Sequence, residues 1–107
     1  MSSLTRTILI LGNEFNVVDK VLEDDDAGES SACERTIQVD STMPDSTKVE
    51  TFYHEVAHMW LDLGGYSHLL GNEMSEALCQ FLGQAVMQFV SQNESLPAIS
   101  RGGLANE

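Results

Sequence analysis

The stretch Thr51-Phe52-Tyr53-His54-Glu55-Val56-Ala57-His58-Met59-Trp60 carries an H-E-x-x-H pattern, and its reading decides what the rest of the chain must be. On an α-helix, residues four apart lie on one face, a turn from each other. His54 and His58 can therefore aim ring nitrogens at a common point. Glu55 projects beside that point without having to bind there, which is where a general base for a metal-bound water belongs. The pattern predicts a zinc hydrolase if three conditions hold: a helix, a third ligand, and a shell that keeps the ligands still. Without them, two histidines and a glutamate are a solvated helix face or a satisfied core pair.

The helix condition is answered by local signals. Thr47-Lys48-Val49-Glu50 has the capping-box form, a hydroxyl three residues before a glutamate, just ahead of an apolar run. Val49, Phe52, Tyr53, Val56, Met59, Trp60 and Leu63 then recur at helical spacing as a buried stripe, and Gly64-Gly65 stops it. His54, Glu55 and His58 fall outside that stripe, on the side expected to face a cleft. Residues 66–70 read as a connection, with Asn72 capping a second helix. Its period, from Met74 through Ala77, Leu78, Phe81, Leu82 and Ala85 to Val90, runs to about Ser91, with Glu76, Gln80 and Gly83 along another side.

Upstream, Thr5 to Leu11 is β-branched and aliphatic, Gly12-Asn13 signals a turn, and Glu14 to Lys20 partly alternates, which predicts an antiparallel hairpin. Residues 23–31 are acidic and small and read as a solvated loop that lacks the spacing of a calcium-binding loop. Arg35 to Asp40, with Ile37 and Val39 alternating, is a third strand, either a peptide-pairing sheet edge or an interior strand. After Gln92 the composition cannot bury much, so residues 1–92 form the domain and 93–107 a flexible tail.

At 107 residues the chain supports one domain with a modest core, to which a bound metal would add stability. The net charge of −12 argues against nucleic acid or an anionic membrane as a direct partner, and leaves a basic protein or a basic substrate open beside simple solubility. No apolar run is long enough to span a bilayer and no secretory signal opens the chain, so a soluble cytoplasmic protein is expected. Cys33 and Cys79 lack C-x-x-C spacing and read as free thiols of a reducing compartment, with a single disulfide as the alternative.

A third ligand cannot come from the histidine-completed pattern, because Leu61 and Gly64 stand where that pattern needs glycine and histidine, and His68 is a turn too late. A glutamate from the second helix remains. There the chain resembles a gluzincin layout: Glu76-Ala77-Leu78-Cys79-Gln80-Phe81-Leu82-Gly83 is similar to the Glu-Ala-x-x-Asp-x-Phe-Gly stretch of thermolysin-like enzymes. It also resembles the Glu-x-x-Asn-x-Phe-Ala helix of ImmA/IrrE-type metallopeptidases, including small phage and prophage proteins. The resemblance implies a small zincin-like α+β domain: a short antiparallel or mixed sheet of about three strands packed on the H-E-x-x-H helix and a glutamate-bearing helix. It implies Zn²⁺ held by His54, His58 and Glu76, with Glu73 as the rival third ligand and Glu55 as base. Gln80, an amide where those enzymes carry a carboxylate, and Asp62 are candidates for orienting an imidazole. Tyr66 and His68 are the candidate oxyanion donors, Tyr53 being taken up by the helix stripe. The implied activity is zinc-dependent hydrolysis of a peptide bond in a narrow set of protein or peptide substrates. The alternative is a non-catalytic, zinc-stapled acidic binding protein, a phage accessory or anti-defence factor.

Overall fold

The computed structural model describes residues 4–23, 26–93, 99–100 and 103–104. Strands β1 (Leu4–Ile10) and β2 (Asn13–Lys20) form the expected antiparallel hairpin, with Ile8 opposite Phe15. The turn sits one residue earlier than expected, on Leu11 and Gly12, both at positive φ (50° and 81°). Such a two-residue turn matches the twist of the strands. Glycine takes that region freely, whereas Leu11 gives up roughly 1–2 kcal/mol to its Cβ. The Asn13 amide donates to the carbonyls of Ile10 and Leu11 at 3.3 and 3.2 Å and helps hold the turn.

The segment read as a solvated acidic loop contains a fourth strand, β3 (Gly28–Ser31), so the sheet has four strands rather than about three. Strand β4 (Thr36–Asp40) enters between β2 and β3, parallel to the first and antiparallel to the second, giving the order β1-β2-β4-β3. The strand before the first helix is thus interior, and β3 is an edge of the sheet. Gly-Glu-Ser-Ser offers no apolar alternation to read, and its small residues serve close approach instead. A Cβ on Gly28 would lie 2.6 Å from Thr51 Cγ2 and 3.0 Å from the Gln38 carbonyl oxygen. After β4, the Asp40 carboxylate accepts bonds from the Thr42 N–H (3.0 Å) and hydroxyl (2.9 Å), which hold its carboxyl below the usual carboxylate range.

Helix α1 runs from Asp45 to Leu63 and begins before the expected capping box. Pro44 stands at its N-cap (φ −59°, ψ 153°) and makes no side-chain capping bond, since proline carries no side-chain acceptor. Gly64 and Gly65, the latter at φ 82°, end it as expected. One face sets Val56 and Met59 on Ile10, Phe15, Ile37 and Val39 of the sheet. Another sets Ala57 and Leu61 against Cys79 of the second helix. A single-stripe reading missed Ala57 and Leu61 because α1 is the middle layer, covered on two sides.

Helix α2 (Ser67–Gln92) is broken at Gly71 (φ 78°, ψ 169°), so the expected connection before Gly71 is itself a helical turn. Among the described residues α2 packs on α1 and on no strand. Its buried residues are Ser75, Cys79 and Gly83, whereas Met74, Phe81 and Phe89 of the expected stripe point outward. Val49 of α1 is exposed as well. Beyond α2, Ile99–Ser100 and Gly103–Leu104 pair as two short antiparallel strands, β5 and β6. The rest of the tail expected to be flexible lies outside the described residues. No helix of the described residues is long and apolar enough to cross a membrane.

Candidate metal centre

Spacing alone brings His54 and His58 together on α1. Their rings meet edge to face at 4.8 Å between centroids, with Nε2 atoms 3.1 Å apart. What reaches them depends on how near α2 can come. Ser75, Cys79 and Gly83 recur every four residues as a small-side-chain face turned to α1. At Gly83 the backbones nearly touch: a Cβ there would lie 2.9 Å from both Cα and N of His54. Glu76, on the neighbouring strip of α2, then places Oε2 2.9 Å from His54 Nε2 and Oε1 3.1 Å from His58 Nε2.

These donors fit a cation. Imidazole and carboxylate ligands about 2.0–2.1 Å from a tetrahedral ion stand roughly 3.3–3.4 Å from one another; the two Nε2 atoms, 3.1 Å apart, are close to that edge, and Glu76 brings one carboxylate oxygen to each ring, Oε2 at 2.9 Å from His54 and Oε1 at 3.1 Å from His58. Two facing imidazole nitrogens need a shared proton or a cation between them, because each carries either a lone pair or an N–H. An ion at the centre of the triangle satisfies both rings and the carboxylate at once. His54, His58 and Glu76 are the described residues that form such a group, all three donors within 4.8 Å of one another. Glu73, the rival ligand, is outside it. The Glu76 side chain is 63% exposed, so the outer side of the triangle is open to water.

Glu55 borders the cleft as expected, but is itself buried. Burying a carboxylate costs free energy unless it is hydrogen-bonded. Ser30 of β3 meets that need, its hydroxyl donating to Glu55 Oε1 at 2.6 Å. The strand comes close enough to α1 because Gly28 has no side chain: a Cβ there would run into Thr51 of that helix, 2.6 Å from Cγ2. Glu55 thus forms a wall between two recesses. One, of about 250 Å³, is bordered by His54, Glu76, Glu50, Gln80 and Gln84. The other, of about 420 Å³, is bordered by His58, Glu29, Ser30 and Asp62. A hydrogen bond with Asp26, and then partial desolvation, hold the Glu29 carboxyl above the usual carboxylate range.

The remaining expected residues are placed less centrally. Gln80 borders the first recess and Asp62 the second, and among the described residues neither bonds an imidazole. Asp62 accepts instead from the Ser67 hydroxyl, joining the end of α1 to the start of α2. Tyr66 and His68 are exposed at the interhelical turn and border neither recess. Tyr53 packs edge to face on Phe52, centroids 5.2 Å apart. Residues not singled out from sequence do enter the site: Ser30 on Glu55, and Glu50, whose Oε2 accepts from Gln84 Nε2 at 2.9 Å. Gly28 within an acidic run was the available signal, since a glycine at a strand end marks close backbone approach.

The interhelical contact also separates the two thiols. Cys33 is exposed, whereas Cys79 is fully buried and its burial pushes its thiol from 9.0 up to about 11. One equivalent of a thiol reagent is therefore expected to react in the folded protein and two in denaturant, Cys33→Ser removing the fast one. Since Cys79 keeps its proton in the folded state after an unfolded thiol has lost it, its contribution to stability falls as pH rises from about 9 to about 11. Cys79→Ala should flatten that part of a melting profile. The chain matches no family model, no curated protein and no solved structure.

Proposed function

We propose that the chain is a zinc-dependent peptidase whose metal is held by His54, His58 and Glu76 and whose general base is Glu55. The observation that carries this reading is the pairing of a convergent His-His-Glu triangle with a buried carboxylate, oriented by Ser30, that borders the same recesses as the two histidines. Two imidazoles, one carboxylate and a free position make the donor set of catalytic zinc, whereas structural zinc is closed by four protein ligands. When bound, zinc supplies Lewis acidity toward a carbonyl oxygen and acidifies a water molecule.

The chain's own residues account for the rest. Ser30 fixes Oε1 of Glu55, which leaves Oε2 to accept the proton of the attacking water and to return it to the departing amine. The edge strand β3 lies along α1 and offers unpaired backbone donors and acceptors to an extended peptide, the role that the sequence reading left open for β4. Both recesses are open and shallow, so a substrate is gripped on one side only, which favours a narrow set of unfolded or extended segments over general proteolysis.

One observation favours a second reading, a metal-stapled binding protein. Among the described residues helix α2 is held only by α1, and a cation shared by His54, His58 and Glu76 would fasten the two helices. Glu55→Gln separates the readings. With zinc loaded, a peptidase should retain its metal and lose cleavage of a peptide library by about 10³-fold or more. Cleavage retained at wild-type rate would remove Glu55 from the mechanism, and the absence of cleavage by the wild-type protein would leave the staple.

A further inference from the structure

We propose that the recess on the His54 side of the metal centre is a specificity pocket for a lysine or arginine side chain next to the scissile bond, with Glu50 as its anchor. This rests on the peptidase reading for the position of the peptide, but the pocket is argued from its own chemistry. Glu50 and His54 are four residues apart on α1, so their Cα atoms stand one turn, roughly 6 Å, apart along the helix, and both side chains border the same recess. An extended basic side chain whose backbone sits at the metal spans that interval.

The carboxylate is also oriented for the purpose. Gln84 Nε2 holds Oε2 at 2.9 Å and leaves Oε1 to accept from an ammonium or guanidinium. Of the three carboxylates around this recess, Glu76 belongs to the triangle and Glu55 is held by Ser30, so Glu50 is the one without an assigned task. No described basic residue competes for it. Lys48 pairs with Asp19 at 3.1 Å, the Arg35 guanidinium lies over Phe15 at 5.7 Å, Arg6 borders a separate groove with Val17 and Phe52, and Lys20 acts on Glu29 rather than on this recess.

The walls leave space rather than fill it. Gly28 and Gly83 border the recess without side chains, and its volume of about 250 Å³ has room for one long side chain. A substrate carboxylate at the same place would meet Glu50 directly, in a protein of net charge −12. On the far side of Glu55 the second recess repeats the sign with Glu29 and Asp62, so acidic residues are disfavoured on both sides of the scissile bond.

The test uses the zinc-loaded Glu55→Gln protein, which holds a peptide without cutting it, and dye-labelled peptides that differ at one position between Lys, Arg, Met and Glu. By fluorescence anisotropy the Lys and Arg peptides are expected to bind roughly tenfold more tightly than the Met peptide, and the Glu peptide more weakly still. Adding Glu50→Gln should bring Lys and Met to parity, and Gln84→Ala, which keeps the charge but frees the carboxylate, should reduce the preference several-fold. Circular dichroism confirms that each variant is folded. Equal affinities for Lys and Met peptides, no binding of any peptide, or a preference indifferent to Glu50→Gln would overturn the pocket. Wild-type protein is compared in parallel by mapping cleavage sites with mass spectrometry. Cleavage without a basic residue beside the cut overturns the pocket and keeps the peptidase. A Glu50-dependent preference with no cleavage keeps the pocket and overturns the peptidase.

Discussion

Saturating the protein with zinc is expected to raise its thermal midpoint by about 15–30 °C. A ligand that binds only the folded state stabilises it by about 4 kcal/mol at a free concentration a thousandfold above its dissociation constant. A domain near 100 residues shifts by about 4–8 °C per kcal/mol. The effect should be this large because the donors come from two helices, and among the described residues α2 rests on no layer but α1. His54→Ala, His58→Ala and Glu76→Ala should each abolish the rise, whereas Glu73→Ala should keep all of it. Circular dichroism melts at matched free zinc decide this. An unresponsive wild-type protein would remove the metal site, and a rise lost in Glu73→Ala but kept in Glu76→Ala would reverse the choice of third ligand.

Gly83→Ala is expected to destabilise the fold by about 1–3 kcal/mol, opposite in sign to the usual result of replacing a glycine inside a helix. That replacement ordinarily gains about 0.5–1 kcal/mol from backbone entropy. Here the added methyl would stand 2.9 Å from Cα and N of His54 and 3.3 Å from the Tyr53 carbonyl carbon. Backbone atoms of a packed helix have no rotamer into which to retreat, so the helices must separate, at the cost typical of overpacking. Separation carries Glu76 away from the two imidazoles, and zinc affinity should fall by about 10–100-fold, as when a ligand loses its support. Gly65→Ala is the useful control: its Cβ meets nothing within 4 Å, so it reports only the penalty of a φ of 82° and should leave zinc binding unchanged. Urea melts and zinc titrations would check both, and a Gly83→Ala protein as stable as wild type would show that this contact does not set the helix spacing.

Both outcomes turn on features that differ in how openly the chain displays them. The H-E-x-x-H helix was legible because its signals are local: a fixed spacing of two histidines, an apolar period and a double-glycine stop. The β1–β2 hairpin was legible for the same reason, apart from a turn placed one residue late. Strand β3 was not, because Gly-Glu-Ser-Ser has neither apolar residues nor alternation, and it becomes a strand only when β4 pairs with it. The apolar period of α2 misled in the other direction. Met74, Phe81 and Phe89 look like a buried stripe, yet α2 packs through Ser75, Cys79 and Gly83, where small size permits close contact.

By itself, then, the sequence determined two histidines on one helix turn, the carboxylate beside them, and a second helix bearing glutamates, because these depend on spacing within single helices. Only the tertiary structure decided which glutamate arrives, that Glu55 is buried and held by Ser30, and that Glu50 faces the recess next to His54. Those three facts depend on how near α2 and β3 come to α1. That distance is set by the missing side chains of Gly83 and Gly28, whose effect is felt only against partners distant in the chain.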